Sequence, residues 1–264
     1  QSHLDMVHQK NNDTSFDFDT QGIEMFVDGD WVKAKGTTLG ADNGMGVAAI
    51  MALLESTDIP HPALEALFTI DEETGMTGAM GLKGGVLKGE ILLNLDTEED
   101  DEIDIGCAGG IDVTAVRTYE EESVGDDFVF FQITVKGLQG GHSGMQIHEG
   151  LGNANKIMNR LLYMASEKYG IRISEIDGGS LRNAIPRESI AIIGIHKDKI
   201  TDFGDDLEGW TIEINKELSV TEPELNVAFE SLKASAKVMQ KEAQEKVLRA
   251  IYAAHNGVYA MSAS

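Results

Sequence analysis

An apolar run over residues 63–70 ends on three consecutive carboxylates, Asp71, Glu72 and Glu73. The run reads as a strand, so the chain leaves a sheet and sets three anions side by side at its end. Adjacent anions repel, and such a cluster is costly unless cations sit nearby. A second apolar strand, residues 91–95, leads directly into Asp96. Helical patterns accompany these strands. Residues 44–55 are small and apolar on nearly every side, which predicts a buried helix, and residues 76–82 predict a short one ended by Gly84-Gly85. Strands alternating with helices predict an α/β sheet with helices over its faces. Ligands of such sheets bind beyond the carboxyl ends of the strands, where these acidic residues fall.

Two further points belong with them. Gly40-Ala41-Asp42-Asn43-Gly44 places an aspartate in a glycine-flanked turn, and His3-Leu4-Asp5 lies at the N-terminus. Carboxylate oxygen and imidazole nitrogen suit divalent ions such as zinc. A two-metal hydrolytic site needs a bridging carboxylate, terminal ligands and a base for its water. Asp42 could approach two ions, and paired glutamates could divide ligation from proton transfer. In a strand, residues i and i+2 share a face, so Asp5 could orient His3 or a neighbouring ligand. Each point alone has an ordinary explanation: turn chemistry for Asp42, a solvated face for the glutamates, an uninvolved terminal histidine. Only the ordered set points to a pair of metals.

The rest of the chain reads differently. Residues 8–36 are polar, apart from a short hairpin over 25–32 with an Asp-Gly turn. Residues 111–116 and 128–135 alternate as strands do. Residues 150–168 carry apolar side chains at helical spacing, 171–173 and 189–195 read as strands, 201–218 as a helix and 225–229 as a strand. A long final helix is marked by Leu232, Ala236, Met239, Ala243, Val247 and Ile251. The order β-α-β-β-α-β resembles a ferredoxin-like layer of sheet and two helices. A domain boundary is placed near residue 110, giving a metal-binding unit at 1–109 and a second, α+β unit at 110–264.

Charge excludes several partners. Lys plus Arg number 21 against 45 Asp plus Glu, a net charge of −24. Nucleic-acid backbones and anionic membrane surfaces are bound by clustered cations, so neither is an expected partner. No apolar run is long enough to span a bilayer. The single cysteine, Cys107, permits no intrachain disulfide and favours a reducing, cytoplasmic setting. Residues 36–46 lack the Lys-Ser/Thr of a phosphate-binding loop, and residues 137–144 lack the spacing of a dinucleotide loop. Ser143 lacks the flanks of a nucleophile elbow. Both ends of the chain read as abrupt, as in a piece of a longer protein.

At His3-Leu4-Asp5, Gly40-Ala41-Asp42-Asn43-Gly44, Asp71-Glu72-Glu73-Thr74-Gly75 and Asn94-Leu95-Asp96 the sequence resembles the dinuclear zinc peptidases that include carnosinases, aminoacylases and desuccinylases. Supporting stretches are Gly106-Cys107-Ala108-Gly109-Gly110, residues 136–144 and 148–155, and Leu181-Arg182-Asn183-Ala184-Ile185-Pro186-Arg187-Glu188. The resemblance fades after about residue 195. It implies an incomplete mixed sheet flanked by helices, followed by a ferredoxin-like lid that mediates homodimerisation. It implies two zinc ions, or cobalt or manganese in their place. Asp42 would bridge them through a cis peptide to Asn43, His3 and Asp96 would hold one, and Glu73 the other. Glu72 would be the general base, and Asp5 would support it from behind the ligands. His142 would polarise the scissile carbonyl, often across the dimer, and Arg182 and Asn183 would lie near the substrate carboxylate. The implied reaction is hydrolysis of small peptides, notably Xaa-His dipeptides. The alternatives are deacylation of N-acyl amino acids, carboxypeptidase action, or a fragment that binds metal without catalysis. A further histidine ligand is implied from a segment after the lid, and neither His196 nor His255 has that motif's surroundings.

Overall fold

The computed structural model describes every residue except 98–100, 180, 234–236 and 262–264. The fold is mixed α/β, and the chain divides into two compact units, residues 1–108 and 109–264.

In the first unit, β1 (Ser2–His3) pairs in parallel with β4 (Phe68–Thr69). The run at 91–95 joins the other side of β1 through two main-chain bonds: Gln1 N donates to Leu93 O at 2.7 Å and Leu95 N donates to Gln1 O at 3.0 Å. Both acidic segments therefore flank His3, although residues 91–95 do not form the expected strand. The hairpin β2 (Met25–Asp28) and β3 (Trp31–Ala34) turns at Asp28–Trp31 as its Asp-Gly pair predicts, with Gly29 at φ 62°. Helix α1 (Ala41–Glu55) follows, and the short α2 (Thr77–Gly81) lies after the carboxylate turn.

Further expectations need correction. Only residues 68–69 of the 63–70 run pair as a strand. Helix α1 forms, but it buries only Asn43, Gly46 and Ile50, while Met45, Met51 and Leu54 are exposed. A helix apolar all round needs cover on several sides, and among the described residues α1 packs chiefly on β1. Residues 111–116, in the second unit, form no strand and lie exposed. Alternation gives a segment the capacity to pair, but an isolated strand has no stability without a neighbour.

The second unit has a well-buried core. After β5 (Glu121–Glu122), the elements β6 (Phe128–Lys136), α3 (Ala154–Tyr169), β7 (Arg172–Gly178), β8 (Ser189–His196), α4 (Ile200–Glu217) and β9 (Asn226–Leu232) run in the expected order. They form an antiparallel sheet ordered β7-β8-β6-β9, the ferredoxin-like arrangement. A short strand β10 (Val238–Met239) pairs with β5, and α5 (Lys241–Ala253) closes the unit. The long final helix is thus shorter than its apolar spacing suggests, because Leu232 belongs to β9 and Met239 to β10.

One face of the sheet carries Ile133, Val135, Ala191, Ile193 and Ile195, all essentially inaccessible. Against it α3 presents Ile157, Met158, Leu161, Leu162 and Ala165, and α4 presents Phe203, Leu207 and Ile214. Each of these side chains larger than alanine contributes about 1.5–3 kcal/mol on burial. Helix α3 begins where the Asn153 side chain accepts from Lys156 N at 3.2 Å, and ends on the left-handed Gly170. No helix among the described residues is long and apolar enough to cross a membrane.

Candidate metal centre

His3 is the hub of the first unit's acidic cluster. Strand β1 buries it to 2% exposure between the two acidic segments. Its Nε2 lies 3.0 Å from Asp42 Oδ1 and 3.6 Å from Asp96 Oδ1. Its Nδ1 lies 3.0 Å from the Asp5 carbonyl and 3.4 Å from Asp5 Oδ1. Potential ligand atoms of His3, Asp42 and Asp96 all lie within 4.8 Å of one another, and so do those of His3, Glu72 and Glu73. The structure thus brings His3, Asp5, Asp42, Glu72, Glu73 and Asp96 together around one imidazole. The Asp42–Asn43 peptide is cis.

The turn bearing the glutamates is tightly built. Asp71 sits at φ 62°, and its carboxylate takes hydrogen bonds from the hydroxyls of Thr74 and, at 2.5 Å, Thr77. Those bonds hold the Asp71 carboxyl below its usual range. Asp71 therefore serves the turn, while Glu72 and Glu73 face the cluster. Glu73 N donates to Asp5 Oδ2 at 3.1 Å, which ties the turn to the segment after β1.

The electrostatics fit a cation. Burial first, then the anions of Asp42 and Glu72, push the Glu73 carboxyl up to about 7. Burial and then Asp96 raise Glu72 as well. Burial opposes charge on His3, but the hydrogen bond to Asp42 and the fields of Asp96, Asp42 and Asp5 outweigh it and raise the ring. Both ring nitrogens face oxygen acceptors, so without a cation the ring gains from carrying two protons. A divalent ion would replace the Nε2 proton and leave Nδ1–H donating to the Asp5 carbonyl, the usual way of orienting a metal-bound histidine. Glu73 Oε1 is buried with no hydrogen-bond partner. Burying such an atom is unfavourable unless something pairs with it. The donor set and this orphaned oxygen both fit a divalent metal.

In the second unit, the segment after β6 packs on residues 181–187. Ser143 N donates to Asn183 O and Ile185 N to Gly141 O, each at 2.8 Å. These bonds bring His142, Arg182 and Asn183 to one pair of loops. The His142 ring accepts from Gly144 N at 3.1 Å and Met145 N at 3.0 Å through Nδ1. With Nδ1 used as an acceptor, the neutral ring carries its proton on Nε2 and can donate it outward. Arg182 Nη1 meets Asp112 Oδ2 at 2.5 Å, so this guanidinium has a surface carboxylate partner. Asn183 contributes its main-chain carbonyl to the loop pair.

Three residues with evident positioning roles carry no signal in the sequence. Ser2 and Asn43 are buried behind Asp96, and Glu222 is buried behind the His142 loop. Asn43 lies in the Gly40-Ala41-Asp42-Asn43-Gly44 turn, yet nothing in its neighbours reveals its partners.

Residues 133–226 match the model of a family described as a peptidase dimerisation domain. The matched stretch lies within the second unit. Over 258 residues, 98% of its length, the chain is 45% identical to the cytosol non-specific dipeptidase of Escherichia coli K12, of which it covers 53%. It is also similar to the crystal structure of an aminoacylhistidine dipeptidase from Vibrio alginolyticus, at 42% identity and a TM-score of 0.62, covering 99% of this chain and 54% of that one. The chain thus spans about half the length of these relatives. Similarity to both relatives extends beyond the 133–226 stretch over nearly the whole chain.

Proposed function

We propose that this protein is a metal-dependent dipeptidase, acting on Xaa-His and other dipeptides, whose ligands include His3, Asp42, Glu73 and Asp96. The observation that carries this reading is the convergence of one buried imidazole and four carboxylates, with a buried Glu73 oxygen left unpaired. Similarity to two dipeptidases supports the same class of substrate. Two divalent ions, zinc by preference, would supply Lewis-acid polarisation of the amide carbonyl and lower the pKa of a water toward about 7.

The chain's own residues have distinct tasks in this reading. Asp42 would be the ligand shared between the ions, His3 and Asp96 would help to hold one, and Glu73 the other. Asp5 holds the His3 ring in its working tautomer. Glu72 takes the proton of the attacking water and passes it to the leaving amine, a task that general bases perform for about 10²–10⁴ in rate. His142 donates Nε2–H to the carbonyl oxygen, and Arg182 and Asn183 bind the substrate carboxylate. Residues 1–109 act as the catalytic part, and residues 110–264 as a lid through which two copies pair. A cytoplasmic location accords with the lone cysteine and with the cytosolic relative.

The experiment is a substrate panel on the purified protein, before and after chelation, with the Glu72→Gln variant alongside. Turnover of dipeptides that is lost on chelation, restored by zinc and reduced by Glu72→Gln supports the reading. Hydrolysis of N-acyl amino acids in preference to dipeptides would replace it with the deacylase alternative.

A further inference from the structure

Asn43 lies at the first turn of α1, 3% exposed, with every polar atom of its side chain engaged. Its Nδ2 donates to Asp96 Oδ1 at 2.8 Å and to Leu95 O at 3.2 Å. Its Oδ1 accepts from the Ser2 hydroxyl at 2.8 Å, and the same hydroxyl lies 3.1 Å from Asn43 O. Ser2 is itself 1% exposed. One amide therefore joins β1, α1 and the 93–96 segment. The packing leaves no slack: a Cβ on Gly46 would stand 2.0 Å from Asn43 Oδ1 and 2.9 Å from Ser2 Oγ.

The consequence falls on Asp96. A carboxylate on an unbraced loop rotates freely about its side-chain torsions, and freezing it on binding has an entropic cost. Here one oxygen is held by the amide, and the same oxygen lies 3.6 Å from His3 Nε2. The amide keeps Asp96 aimed at the cluster before any ion arrives. The amide is itself held by the Ser2 hydroxyl, which donates to Asn43 Oδ1 from the position next to His3 in the chain. We propose that Asn43 is a positioning residue that sets the cation affinity of the His3, Asp42 and Asp96 group by fixing the Asp96 carboxylate. This rests on the reading that the group binds a divalent ion.

The test is Co²⁺ titration of the full-length, chelator-stripped protein, read by competition with a chromophoric chelator and by the visible absorption of the bound ion. Three variants accompany the wild type. Asn43→Asp keeps the acceptor for Ser2 but removes the N–H donor. Asn43→Ala removes both. Asp96→Ala removes the supported ligand. Outer partners of metal ligands are worth about 10–100-fold in metal affinity. The expected result is a loss of that size in both Asn43 variants, with an altered absorption band at saturating Co²⁺. If Asn43→Ala fails to fold, the near-isosteric Asn43→Asp still decides the matter. Folded Asn43 variants that bind within twofold of wild type, with an unchanged band, would overturn the proposal, even if their melting temperature falls. Wild type that binds no Co²⁺, or binds it unchanged after Asp96→Ala, would overturn the metal reading itself.

Discussion

Replacing Glu222 by glutamine removes a buried anion that braces both ends of the His142 loop. Glu222 is 2% exposed, and its two oxygens accept from Gln139 N and Gly152 N, each at 2.7 Å. Among the described residues no cation pairs with this carboxylate; two main-chain donors hold it instead. Hydrogen bonds to a charged acceptor contribute about 1.5–3 kcal/mol each. A glutamine can accept one of the two and presents its own N–H₂ to the other donor. The loss is one charge-assisted bond, with one buried N–H left unmatched, or about 2–4 kcal/mol. Gly152 cannot rescue the fit by moving inward, because the space over it is filled by Leu138 and the Glu222 side chain. Urea unfolding followed by fluorescence of Trp210, in the core of this unit, measures the global change. Native-state hydrogen exchange measures the local one. Amides between residues 139 and 152 should exchange about 30–700-fold faster, the same energy expressed as an opening constant. A stability change under about 0.5 kcal/mol with unaltered exchange would refute the bracing argument.

Other perturbations probe other parts of the structure. Gly46→Ala should destabilise the first unit by about 1–3 kcal/mol, because its Cβ collides with the Asn43 amide, and urea unfolding checks it. Gln244→Leu should lose about 2–4 kcal/mol: Gln244 accepts from Ile173 N at 2.8 Å and donates to Ile171 O at 2.9 Å, and leucine leaves both buried groups unmatched. Asp206 is held below its usual range by hydrogen bonds from Lys168 and then Tyr169. A depressed carboxyl stabilises the fold above its unfolded pKa and ceases to do so as pH falls through its folded one. Asp206→Asn should therefore melt below wild type at pH 7, with the gap closing in acid below about pH 3.9.

The second unit was largely legible in the sequence. Its strands alternate cleanly, and apolar residues at 154, 158, 161, 162 and 165 repeat at helical spacing, so local pattern and final packing agree. The end of that unit misled because Leu232, Ala236 and Met239 fall at helical spacing by coincidence, while Leu232 and Met239 pair in strands. The first unit shows what periodicity leaves out. The 63–70 run and α1 have the composition of buried elements, but burial needs neighbours, and composition does not supply them. The acidic points were visible as motifs because each follows an apolar run or sits in a glycine turn. The amide of Asn43 and the carboxylate of Glu222 were not, because a single polar residue with partners 41 to 83 positions away leaves no local trace.

Metal content tests the central claim most directly. The purified full-length protein, loaded with zinc, dialysed and assayed by elemental mass spectrometry, should retain zinc stoichiometrically, and the Asp42→Ala variant should lose most of it while residues 109–264 stay folded. Wild type without retained metal, or Asp42→Ala with its full complement, would contradict the assignment of this cluster as a metal centre.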